Sequence, residues 1–302
     1  MNSLTKEEKR DYYRPFRSIG GFILGITFIS NILLSLMTGI FMITSELFKD
    51  SIISYNITEF FVYGAIIYSH YIGYRIFIKK YTKNFIELYH VKKNKILNCF
   101  FTSIFIFVLI RIVWILWSLL LEKVGYIPNV EDNEFYLIGL IYVVIGAPLI
   151  EEIVFRGWIL KTLKKYGIVT SVFLSSLTFG IYHGTVIQFV PAFIIGILLS
   201  YLVFKYKSII PGIILHIANN FLSVLNLQFN NSSVLNIIII SLIIISLLVL
   251  IFLFFKNIKT IIKSFKEISI SFNLMFHSIS YILFLIMYLA LIIMDFIGVK
   301  IT

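Results

Sequence analysis

The chain has 302 residues, of which 59% are hydrophobic and only 14% charged, and its mean hydropathy is +0.96. A soluble domain cannot cover its core with so little polar surface, so the composition excludes a soluble protein and points to an all-α, polytopic membrane protein. The formal net charge of +11 does not imply nucleic acid, because the basic residues fall in alternate loops between apolar runs.

Those runs are long and continuous. Hydrocarbon offers the backbone no hydrogen-bond partners, so they read as helices rather than as the short alternating strands of a barrel. Residues 1–17 are polar and basic, with Lys6, Lys9, Arg10, Arg14 and Arg17. A first span is predicted over Ile19–Leu47, too long for a signal-peptide core and therefore retained. Further spans are predicted near 52–78, 96–121, 136–160, 168–184, 186–204, 209–226, 234–255 and 278–298, about nine in all. An acidic loop with Glu122, Glu131, Asp132 and Glu134 precedes the fourth span, and a basic amphipathic linker, Lys256 to Lys266, precedes the ninth. The chain divides into an N-terminal three-span region (1–133), a core (134–226) and a C-terminal two-span extension (227–302).

Lysine and arginine test the topology. The basic terminus, Lys79 to Lys95, Lys161 to Lys165, Lys205 with Lys207, and Lys256 to Lys266 all fall on one side. The opposite side holds only Lys49, Lys123 and Lys300. The positive-inside rule then predicts a multi-pass cell-membrane protein with a cytoplasmic N-terminus and an external C-terminus. The Ile, Lys, Asn, Phe and Tyr bias favours a low-GC bacterial source. Cys99, the single cysteine, rules out an intramolecular disulfide and reads as a small buried apolar residue.

Three polar segments interrupt the apolar core region: Glu151-Glu152-x-x-x-Arg156, Phe179-x-x-x-His183 and His216-x-x-x-Asn220. Ionisable groups at bilayer depth are costly and mark function. Residues four apart share a helix face, so Glu152 and Arg156 can pair across one turn, while Glu151 points about 100° away and is free to act as a base. Pro148 removes a backbone hydrogen bond just before the pair and is expected to open the helix there. Gly180 and Gly184 permit the close approach of a neighbouring helix. His216 and Asn220 present a ring nitrogen and an amide on one face, suited to an anionic oxygen.

With about 1.5 Å of rise per residue, Glu151 lies about 15 Å, His183 about 22 Å and His216 about 12 Å from the cytoplasmic boundary. The three depths agree within ordinary tilt only if the fourth helix continues past Arg156. The active site is therefore expected among spans four, five and seven. Glu59 in span two and Arg111 in span three are expected to pair; His70, His90 and His277 receive no role.

In order and spacing, the three motifs resemble those of the CPBP family, the CAAX-protease and bacteriocin-processing (Abi) family that includes type II CAAX prenyl endopeptidases. The resemblance covers 134–226 and implies an intramembrane endopeptidase. Glu151 with His183 would activate a water, His216 and Asn220 would stabilise the tetrahedral oxyanion, and Glu152, Arg156 and Phe179 would support them. No cofactor is expected on this reading. The residues alone leave Zn²⁺ open, with Glu151, His183 and His216 as ligands and water in the fourth place, although there is no His-Glu-x-x-His helix. The expected partners are a peptide or membrane-protein substrate and the lipid bilayer. Bacteriocin or pheromone processing, or self-immunity, is the expected setting. The alternative is a catalytically silent membrane scaffold or immunity protein that binds a peptide or a sensor kinase. A transporter is disfavoured because paired interrupted helices in two corresponding halves are missing.

Overall fold

The computed structural model describes residues 5–48, 52–78, 91–126, 137–228 and 275–301. Among them the chain is helical, and it is an all-α polytopic membrane protein. We number the helices α1 (Lys6–Phe48), α2 (Ile52–Gly73, widening into a π turn over Tyr74–Ile78), α3 (Ile96–Lys123), α4 (Leu137–Tyr166), α5 (Ile168–Tyr182), α6 (Val186–Tyr206), α7 (Ile210–Gln228) and α8 (Ile279–Ile301). Five described helices are long and apolar enough to cross a membrane, and α5 and α7 contribute shorter apolar segments. The predicted eighth span, the acidic residues Glu131 to Glu134, His90 and the basic linker lie outside the described residues.

α4 is one continuous helix that runs past Arg156 to Tyr166, as the depth argument requires. It is not uniform. A π segment over Tyr142–Gly146 ends two residues before Pro148, and a second covers Glu152–Ile159. Pro148 has no N–H and its ring crowds the carbonyl four residues earlier, and a widened turn relieves both problems. The two π segments therefore bracket Glu151.

α5 and α6 form a hairpin whose turn places Gly184 at φ +70°, a left-handed conformation glycine adopts at little cost. A methyl group on Gly180 would lie 2.8 Å from the Phe189 carbonyl, and one on Gly196 would lie 2.9 Å from Ser176 Cβ. The small residues thus bring α5 and α6 together. The close approach expected at Gly180 is made to the hairpin partner, while Gly184 serves the turn.

The larger core joins Phe16, Ile19, Phe22 and Ile23 of α1 to Phe155, Trp158 and Ile159 of α4, Leu174 and Phe179 of α5, and Tyr281, Phe284 and Tyr288 of α8. A second cluster packs Ile106 and Ile110 of α3 against Ile195, Leu199 and Leu202 of α6, with Leu215 of α7 and the buried Cys99. Inside the apolar core, two polar pairs satisfy each other: Thr178 with the Tyr281 hydroxyl (2.6 Å) and Thr27 with the Tyr288 hydroxyl (2.8 Å). α8 is also fixed at its far end. Asp295 Oδ2 accepts the Val186 N–H (2.8 Å) and the Tyr126 hydroxyl (2.9 Å), so it caps the start of α6 from another helix.

Candidate active site

α4 and α7 meet across a charged seam. Glu152 is fully buried, and its Oε1 accepts from Arg156 Nη1 at 2.8 Å and from His216 Nδ1 at 3.0 Å. Gly212, one turn before His216, makes the approach possible: a methyl group there would stand 3.2 Å from Glu152 Oε2. Arg156, 1% exposed, lays its guanidinium over the Phe179 ring at 4.2 Å. The Phe179 ring also lies edge-on to His183 (4.7 Å) and His216 (6.0 Å), so one aromatic side chain touches three of the polar groups.

The hydrogen bonds decide which nitrogens face the cavity. His216 donates Nδ1–H to the Glu152 carboxylate, so its Nε2 points the other way, 3.7 Å from Glu151 Oε2. His183 donates Nδ1–H to the Phe179 carbonyl (2.8 Å), leaving Nε2 as an acceptor when the ring is neutral. Glu151, His216 and Arg156 are all near enough to His183 to interact with it electrostatically. Glu151 is 19% exposed and Glu152 wholly enclosed, so two adjacent carboxylates occupy different environments.

Asn220 lies one turn beyond His216 on α7. Its amide donates to the Val143 carbonyl (2.9 Å), and its Oδ1 accepts from Asn219 (3.4 Å). The acceptor belongs to the π segment before Pro148, so Asn220 is tied to the widened part of α4 with one N–H still to give. The structure thus brings Glu151, Glu152, Arg156, Phe179, His183 and His216 together, with Asn220 on the same α4–α7 seam.

His70, given no role by the sequence, also reaches the site. It donates Nδ1–H to the Ile66 carbonyl (2.8 Å) and turns Nε2 to the Tyr182 hydroxyl (3.4 Å). The charge of Glu151 acts on His70, Tyr142 and Tyr182 alike. No motif pointed to this histidine, because it is α2 packing beside α4 that brings it near. Arg111 and Glu59 do not meet as expected: Arg111 donates to Ser223 Oγ (3.3 Å), and Glu59 accepts the Gly139 N–H (2.8 Å). His277 stacks on Tyr13 at 4.3 Å, away from the motif residues.

A catalytic zinc needs three protein ligands and an open position. The carboxylate below His216 is the partner a ligating imidazole commonly has. Among the described residues, however, no three His, Cys, Asp or Glu side chains are grouped to hold a metal ion.

No curated protein and no solved structure matches the chain. Residues 133–222 match the family described as type II CAAX prenyl endopeptidase, Rce1-like. That stretch holds α4 to α6 and the first part of α7, with every motif residue named above, so this part of the chain is similar to CAAX-type intramembrane proteases.

Proposed function

We propose that this protein is an intramembrane endopeptidase in which Glu151 is the general base and His183 shares the nucleophilic water. The carboxylate oxygens of Glu151 and the Nε2 lone pair of His183 are acceptors, the equipment needed to hold a water by its two hydrogens. Glu151 takes one proton as the water oxygen bonds to the scissile carbonyl carbon. The carbonyl oxygen becomes the oxyanion, met by the Nε2–H of a protonated His216 and the remaining amide N–H of Asn220. Collapse breaks the C–N bond, and the proton held by Glu151 passes to the departing amine. Glu152 and Arg156 act through His216: the carboxylate holds Nδ1–H, and the guanidinium holds the carboxylate.

The observation that carries this reading is the 3.7 Å separation of Glu151 Oε2 and His216 Nε2, with His216 fixed from behind by Glu152. The substrate is a short precursor peptide or a membrane-protein terminus, cut in the cytoplasmic half of the bilayer, with bacteriocin or pheromone maturation or self-immunity as the setting. Incubation of the purified protein with a peptide library, followed by mass spectrometry of the products, tests it. Cuts made by the wild type and absent with Glu151→Ala support the proposal. If Glu151→Ala and His183→Ala variants of normal abundance cut as well as the wild type, or preserve the cellular phenotype, the proposal fails.

A further inference from the structure

A second polar site lies at the end of α4, behind Arg156. A cavity of about 340 Å³ is lined by Arg156, Leu160, Lys161 and Lys164 of α4 with Val203 and Phe204 of α6 and Lys207. Four cationic residues from two segments therefore meet around one space, and no acidic side chain among the described residues lines it. Its floor is unusual: Arg156 spends Nη1 on Glu152, whereas Nε and Nη2, both buried, have no hydrogen-bond partner among the described residues. Buried guanidinium donors without acceptors are costly, and an incoming anion satisfies them. Lys207 sits at φ +54°, a left-handed conformation uncommon for a non-glycine residue, where its N–H closes α6 on the Val203 carbonyl (2.7 Å).

We infer that this cavity is a phosphate-binding site. Its volume is in the range of about 300–1,000 Å³ typical of sites for small molecules, larger than a lone carboxylate requires, and three flexible ammonium groups around a planar guanidinium suit a phosphate. Lysine placement assigns this end of α4 to the cytoplasmic surface, where basic pockets between membrane helices take anionic headgroups. The phosphate has two possible sources, an anionic phospholipid headgroup or a free phosphate, and the chemistry is the same for both.

Binding is read on the full-length protein in detergent, by thermal shift and native mass spectrometry, so proteolytic activity does not enter the result. The probes are phosphatidylglycerol, phosphatidylcholine, inorganic phosphate and a peptide with a free C-terminal carboxylate. The Lys164→Gln/Lys207→Gln variant is compared with Lys92→Gln/Lys93→Gln, which removes equal charge elsewhere. The expected result is stabilisation by phosphatidylglycerol or by inorganic phosphate, with affinity reduced about tenfold or more in the cavity variant and retained in the other. Protection by the lipid at concentrations where inorganic phosphate is inert identifies the headgroup as source, and the reverse identifies the free ion. Equal losses in both variants, equal protection by phosphatidylcholine, or protection by the peptide carboxylate alone would overturn the inference.

Discussion

The two sides of α4 around Glu151 and Glu152 differ as much as two regions of one helix can. On the Glu152 side one oxygen is held by Arg156 at 2.8 Å and His216 at 3.0 Å, while the second is enclosed beside Gly212, where an added methyl group would stand 3.2 Å from it. On the Glu151 side the carboxylate keeps some exposure and faces a ring nitrogen at 3.7 Å, a separation that a small movement or a water can close. Adjacent residues of one chemical type thus receive opposite surroundings from helix geometry, one bonded to an imidazole and a guanidinium and the other left partly exposed. The lesson concerns cost as well as role, because an enclosed ion pair resists the loss of one partner whereas a half-open carboxylate does not.

Substitutions can break that contrast. The largest effect is expected from Glu151→Gln, which keeps the shape but removes the base: cleavage should fall by about 10²- to 10⁴-fold, with the unfolding temperature in detergent nearly unchanged. Glu152→Gln should behave in the opposite way first, destabilising the protein by about 3–5 kcal/mol because Arg156 is left buried without its counter-charge. Denaturant unfolding of Glu152→Gln, Arg156→Met and the double variant measures this; the double variant should cost less than the sum of the two. Equal stability losses for Glu151→Gln and Glu152→Gln would erase the distinction.

Smaller changes sharpen it. Gly212→Ala places a methyl group against Glu152 Oε2 and should cost about 1–3 kcal/mol, with cleavage falling in parallel as His216 is displaced. His70→Ala removes one hydrogen bond to Tyr182 beside Glu151 and should lower the cleavage rate by about tenfold or less. An unaltered rate for His70→Ala would confine the working site to the three motif segments.

How much of this could be read from the residues follows from how local each signal is. Helices α1 to α8 were legible because apolar runs of bilayer length permit little else. The sharing of a face by Glu152 and Arg156 was legible because it rests on one turn of one helix. The widened turns of α4 were only half visible: Pro148 announced a disturbance, but not that it would be relieved by π segments on both sides of Glu151. His70 and Arg111 were beyond reach, since their partners lie 112 residues away in sequence and depend on which helices pack side by side. Gly180 was assigned close packing correctly in kind, while the neighbour it admits is settled by the hairpin to α6. The remaining N–H of Asn220 is likewise a tertiary fact, decided by the reach of α7 to the Val143 carbonyl.

Asp295 has a consequence for biogenesis. The amide at the start of α6 finds its acceptor on a helix made more than a hundred residues later, and Tyr281 fills the interior from that same late segment. Segments emerging from the translocon in order would leave α1, α4 and α5 assembled around a gap until α8 arrives. Maturation of the bundle is therefore tied to the synthesis of α8, and nascent chains interrupted before that point carry the motif residues without the scaffold that seats them.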